Sequence, residues 1–365
     1  MQEQQKIPLI ILAQNGRFLA QSASQAEHPV WLADCFGDQD ALAVTERWQQ
    51  LPAISTLTHN EIITILNSLS QGEPCLLICG SGIESYYPFL EQLADNIKLI
   101  GNSPYTINTL KTPLLFFKLL AKLELTYPIS QFEPPKNKDD WLYKSASGMG
   151  GDHIQYLQHR PLSSINSAGY YQQYISGKSG SVLFLADGKH SLILSINQQF
   201  ISNEQQQHPF RLLGIDSAWS IAKHHQNTLQ DAINKLSTAT HLLGLNSLDF
   251  IIDDCDKLLL LEVNPRPSAS AELVDSEQPL IQHHIAACQG SLPVDLNITV
   301  NKSLCYHYAD KTLTIPSDLI WHKDCHDLPK TGMVIKKDQP IFTTIVPVDN
   351  LDLHTVIAHK IKQQF

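Results

Sequence analysis

"LLLLEVNPRPSAS", residues 258–270, opens as a buried strand and closes as something else. Four leucines suit a strand inside a core, yet the run ends in Glu262, Asn264 and Arg266. Side chains alternate along a strand, so these three polar residues are expected to project from one face. A carboxylate, an amide and a guanidinium at the end of an apolar strand are costly to bury unless they are paired or hold a ligand. Two readings are open from this stretch alone: a polar site, or a strand running into a loop broken by Pro265 and Pro267.

The rest of the chain narrows the setting. Its 365 residues exceed one ordinary core and suit two or three packed domains. Hydrophobic content of 43% with 17% charged residues is that of a globular protein. The apolar run near the start, "IPLIILA", is too short for a signal segment or a membrane span, so a cytoplasmic protein without membrane contact is expected. A formal net charge of −10 with no basic stripe argues against nucleic-acid binding. Seven scattered cysteines form no repeated CxxC pair, which argues against a disulfide framework or structural zinc. His224-His225 and His283-His284 fall in helical, polar stretches and are expected on solvated faces.

The first hundred residues alternate short apolar strands with helices: "PLIILA", "VWLA", "CLLICG" and "KLIGN" are the strands. This rhythm predicts a doubly wound parallel sheet of Rossmann type. The first strand lacks GxGxxG, so dinucleotide binding is not expected. Gly80-Ser81-Gly82 after the third of these strands is either a tight turn or a backbone cradle for an anion. Further on, a helix is expected to begin near Lys111, and Pro128 marks a boundary. "WLYKSASGMGGDHIQ" reads as a strand carrying Lys144, a glycine-rich loop and a second strand. "SVLFLAD" and "HSLILSINQQ" make an antiparallel pair, and "LNSLDFIID" forms a hairpin with the opening stretch. After residue 290 short strands with Pro and Gly turns, then a last helix, suggest a small β-rich module.

These pieces carry a consistent chemistry. Asp249 on one hairpin strand, with Glu262 and Asn264 on the other, would supply hard oxygen ligands for Mg²⁺ or else form a surface acidic cluster. Lys144 before Gly148, Gly150 and Gly151 suits either phosphate binding, although the spacing is not that of a P-loop, or a mobile hairpin turn.

In this order and at this spacing the chain resembles the ATP-grasp superfamily, with E-x-N-x-R at 262–266 its most specific element. The resemblance implies a mixed α/β and α+β architecture. A Rossmann-like pre-ATP-grasp domain would span 1–105 and a two-lobed ATP-grasp domain 106–290, with lobes of about 106–176 and 177–290. A C-terminal β-rich module would span 291–365. It also implies ATP and Mg²⁺ as cofactors. Lys111 and Lys144 would hold the phosphates, with Gly148, Gly150 and Gly151 closing over them. The backbone of Gln173, Tyr174 and Ile175 would meet adenine, and Asp249, Glu262 and Asn264 would ligate the metal. Arg266 and Lys144 would be catalytic, Arg266 contacting the transferred group. The hinge has Gln172 and Gln173 where many members have a carboxylate, which leaves the ribose contact unassigned.

"GLNSLDFII", "LLEVNPRPSAS" and "GSGIESYYPFL" further resemble the carboxylate–amine ligases of methanofuran and tetrahydromethanopterin pathways, of the tyramine–L-glutamate ligase kind. That resemblance implies an ATP-dependent ligase acting on a small carboxylate, glutamate, and an amine, in a chain that often dimerises. Ser268 and Ser270 would bind the substrate carboxylate or else cap the helix before "AELVD". A bicarbonate-using carboxylase and a silent nucleotide-binding protein are the alternatives.

Overall fold

The computed structural model describes residues 6–145, 148, 150–159, 169–202, 208–294 and 296–365. The loop residues 146, 147 and 149 within the glycine-rich stretch lie outside the described residues.

The N-terminal strands form a parallel sheet: β1 (Leu9–Leu12), β2 (Val30–Asp34), β3 (Arg47–Gln50), β4 (Cys75–Cys79) and β5 (Ile97–Leu99), in the order β3-β2-β1-β4-β5. β1 is buried throughout because helices cover both faces, which is why its sequence is continuously apolar rather than alternating. The order reverses between β1 and β4, where such sheets leave a crevice at the strands' carboxyl ends. Gln14 and Ser81 sit at that crevice, the Gln14 N–H donating to the Ser81 carbonyl at 2.7 Å. Glu84–Gln92 is a 3₁₀ helix, with Pro88 inside it removing an α-helical donor.

A second, four-stranded sheet contains β6 (Ser130–Gln131), β7 (Trp141–Ser145), β8 (Ile154–Tyr156) and β9 (Gly169–Gln173) in the order β6-β9-β7-β8. The third sheet has eight strands. β10 (Gly177–Asp187), β11 (Ser191–Ile201), β12 (Leu212–Asp216), β13 (Leu243–Asp253) and β14 (Leu258–Asn264) join β15 (Lys302–Tyr308), β16 (Cys325–His326) and β17 (Pro340–Pro347). Their order is β14-β13-β10-β11-β12-β15-β17-β16, so strands on either side of residue 291 share one sheet through the β12–β15 pairing. The helix Lys223–Thr240 lays Leu229, Ile233 and Leu236 on Val182, Phe184 and Phe250 of this sheet. Each such fully buried leucine or isoleucine contributes about 1.5–3 kcal/mol.

The paired histidines do not both face solvent as expected. His284 is 1% exposed; its Nδ1 accepts from the Leu245 N–H at 2.9 Å and its Nε2 lies 3.1 Å from the Ile100 carbonyl. His225 is buried against Asp256 at 2.8 Å. Both helices are amphipathic, and in each pair one histidine falls on the apolar stripe.

Candidate active site

The hairpin of β13 and β14 pairs Asp249 directly with Glu262 and Ser247 with Asn264. A β-bulge follows at once, between Asp249 and Phe250, where Leu261 is the extra residue. Bulges of this kind re-aim side chains next to a site. Directly opposed like charges destabilise an antiparallel pair, so two acids here need cations to offset them. Burial and the neighbouring Glu262 push the Asp249 carboxyl up to about 8. Burial opposes ionisation of Glu262 as well, but Lys111, with His153 and Lys144, outweighs it and holds that carboxyl below the usual range.

Lys111 reaches both Glu262 Oε2, at 3.2 Å, and Asn264 Oδ1, at 3.3 Å. It does so from the last turn of the helix Pro104–Lys111, not from the start of a helix. The reason is Pro113: it forces Thr112 out of the helical region, and a new helix, Pro113–Lys122, begins at the proline. Asn264 Nδ2 donates to Asp249 Oδ2 at 3.2 Å, and Gln199 Nε2 donates to Asp249 Oδ1 at 3.1 Å. Glu262 and the Asn264 amide oxygen at the Lys111 ammonium, with the Asp249 carboxyl beside them, form a hard-oxygen set that fits a divalent cation.

Lys144, on β7, is 9% exposed, and its ammonium makes no hydrogen bond or ion pair among the described residues. Burial lowers its pKa, and Glu262 and Asp249 counteract this from across the cavity. A buried ammonium aimed into a cavity without a partner fits a phosphate-bearing ligand. Gly150 and Gly151 hold φ of +63° and +85°, and a Cβ on Gly151 would lie 1.8 Å from the Phe210 carbonyl oxygen. The backbone therefore needs glycine at 151 both for its conformation and for its close approach.

The residues given ATP, metal or substrate roles from the sequence all line one cavity of about 1490 Å³: Lys111, Lys144, Gly148, Gly150, Gly151, Gln173, Tyr174, Ile175, Asp249, Glu262, Asn264, Arg266, Ser268 and Ser270. At the hinge, the N–H groups of Gln173 and Tyr174 are committed to Ile129 and Asp140 carbonyls at 2.8 and 2.7 Å. Ser268 stands at the N-cap position of the short helix Ala269–Leu273 but its side chain does not cap it. Its Oγ instead lies 2.9 Å from that of Ser270. Arg266 lies beyond the end of β14, where its Nε donates to Glu84 and its Nη1 to the Pro267 carbonyl at 3.1 Å.

Sequence reasoning missed three contributors to this cavity. Gln199 supports Asp249 from β11 and has no local signature. Glu84 follows the Gly80–Gly82 turn, and nothing in its local sequence marks it as the partner of Arg266. Arg17 is 2% exposed and bonds Glu272 (Nη2–Oε2 2.7 Å) and Asp327 (Nε–Oδ1 2.9 Å), linking distant parts of the chain. Only the fold brings those three together.

Comparisons with known proteins bear on one segment of the chain and on the fold. Residues 113–270 match the family model of the ATP-grasp domain. An uncharacterized protein of Methanocaldococcus jannaschii is 24% identical over 310 residues, covering 78% of this chain and 73% of its own. The crystal structure of an L-amino acid ligase from Bacillus licheniformis superposes with a TM-score of 0.72 at 12% identity, covering 99% of this chain and 98% of that one. N5-carboxyaminoimidazole synthetase from Staphylococcus aureus complexed with ADP gives 0.68 at 16% identity, covering 97% and 98%. At these identities the structural likenesses speak for the fold. The likeness to the ATP-grasp domain thus covers residues 113–270, under half of the chain.

Proposed function

We propose that this protein is an ATP-dependent carboxylate–amine ligase that releases ADP, with the roles assigned to residues as expected from the sequence. The observation that carries the reading is the pair Asp249–Glu262, opposed across two strands and faced by Lys111, Lys144 and Arg266 in one cavity. A carboxylate does not react with an amine at neutral pH because its oxygen is a poor leaving group. In the proposed reaction the bond from the γ-phosphorus to the β,γ-bridging oxygen breaks and a bond forms to a carboxylate oxygen of the substrate. The amine then attacks the carbonyl carbon, loses a proton and expels phosphate. Such transfer depends on positioning and on neutralising spread negative charge.

Lys144 and Lys111 supply cations for the phosphates, while glycines 148, 150 and 151 allow the backbone to approach them. Asp249, Glu262 and Asn264 would hold Mg²⁺, which would supply positive charge to offset that of the phosphates. The Gln173–Ile175 segment would border the adenine. Ser268 and Ser270 present hydroxyls near Arg266 for the substrate carboxylate, and the sequence resemblance favours glutamate, in one-carbon cofactor biosynthesis, as its source. The division at about residues 105 and 290 and a homodimeric assembly belong to the same reading.

A bicarbonate-using carboxylase is the second reading, favoured by the likeness in fold to the Staphylococcus aureus synthetase along nearly the whole chain. Magnesium-dependent ADP release with mass detection of products separates the two. L-glutamate with tyramine and related amines should give ADP and a glutamyl amide. ADP release only with bicarbonate would transfer support to the carboxylase, and no ADP under any condition would overturn both.

A further inference from the structure

The Gly80-Ser81-Gly82 turn is not used by the phosphates or the metal in the reading above, yet it is tightly specified. A Cβ on Gly80 would meet Ala13 Cβ at 2.8 Å, and Gly82 has φ of +87° with Gln14 beside it. The turn is pinned to the end of β1 through the Gln14–Ser81 hydrogen bond. Its effect is to deliver Glu84, the first residue of the 3₁₀ helix, to the catalytic hairpin from the far side of the cavity. Glu84 is 9% exposed, and Arg266 donates its Nε–H to it. Arg266 Nη1 is held by the Pro267 carbonyl. Two of the guanidinium's three nitrogens are thus fixed by the protein, and Nη2 has no partner among the described residues.

We propose that Glu84 is a positioning residue that clamps Arg266 so that its Nη2 edge is presented to the phosphoryl group in transfer. The inference rests on the ligase reading for the role of Arg266. A planar guanidinium held at Nε and one terminal nitrogen cannot rotate freely, and a fixed donor contributes more where charge develops than a mobile one. Despite burial, Arg266 and Lys111 hold the Glu84 carboxyl below the usual carboxylate range, so it meets the guanidinium as an anion. Glu84 also offsets the charge of the Arg266 guanidinium it meets. The clamp therefore orients Arg266 without adding to the cavity's net attraction for ground-state anions.

The test is a double-mutant cycle on the full chain with Glu84→Ala and Arg266→Ala. Glu84→Ala should lower kcat about tenfold with KM for ATP within twofold of wild type, and Glu84→Gln, which keeps an acceptor oxygen, should lose less. In the Arg266→Ala background the Glu84 substitution should change kcat by less than twofold. A tie that only joined domains would lower Tm without this dependence on Arg266. Multiplicative losses in the double mutant, or an unchanged kcat in Glu84→Ala, overturn the proposal. Binding of ADP with aluminium fluoride, a mimic of the transferring phosphoryl group, is read on the same variants by calorimetry. Glu84→Ala should weaken it about tenfold while leaving ADP alone within twofold. Equal effects on both ligands overturn the clamp, and this readout holds even if no acceptor substrate supports turnover and the ligase reading itself fails.

Discussion

Replacing Glu262 by Gln separates the cost of losing a charge from the cost of losing the fold. The side chain is 47% exposed to the cavity, and its ion pair with Lys111 spans 3.2 Å. Solvent screening at that exposure limits the pair's contribution to stability to about 1 kcal/mol or less. Against this, the substitution removes the like charge opposite Asp249, so the folded chain should lose little. Transition-state stabilisation is a different quantity. Removing one charged contact to the reacting centre typically costs about 3 kcal/mol, which is about a hundredfold in rate. ADP release should therefore fall about two decades while Tm in the absence of nucleotide stays within a few degrees. The linkage has a definite sign. A raised folded-state pKa at Asp249 contributes stability at low pH that is lost as pH rises through about 8. Glu262→Gln lowers that pKa, so the variant should lose less stability than wild type on going from pH 5 to 9. Turnover within threefold of wild type, or inactivity traced to unfolding, would refute the assignment of Glu262.

Other consequences are open to direct measurement. Because Asp249 carries its proton up to about pH 8 in the free protein, Mg²⁺ binding should release close to one proton at pH 7 and tighten as pH rises, seen by calorimetry in buffers of different ionisation enthalpy. Lys144→Met removes a buried charge that lacks a partner, so Tm without ligand should rise while affinity for ATP falls tenfold or more. Gly151→Ala forces a Cβ onto the Phe210 carbonyl at positive φ, and should cost about 1–3 kcal/mol of stability or raise KM for ATP several-fold. Ser268→Ala and Ser270→Ala should raise KM for the carboxylate with kcat little changed.

Much of the site was legible because strand periodicity is rigid. Once 258–264 was read as an apolar strand, the alternation put Glu262 and Asn264 on one face, and the acidic turn at 253–256 brought Asp249 opposite. The parallel sheet was equally readable, since continuous apolar strands separated by helices have few other solutions. What failed was local backbone detail and long-range pairing. The Thr112-Pro113 step ends one helix and starts another, a signal present in the sequence but overridden by the apolar run beyond it. Arg17 finds Asp327 across 310 positions, and no periodicity or spacing encodes such a contact. His284 was misread because polarity of the surrounding stretch was taken for exposure, whereas helical position decides which residues are buried.

The central claim is that the substrate carboxylate is activated by phosphoryl transfer inside this cavity. Turnover of ¹⁸O-labelled glutamate carboxylate with an amine and ATP, followed by mass analysis of the released phosphate, tests it most directly. Activation through an acyl phosphate predicts one ¹⁸O atom per phosphate, lost equally from the amide product. Amide formation with phosphate free of label would contradict it.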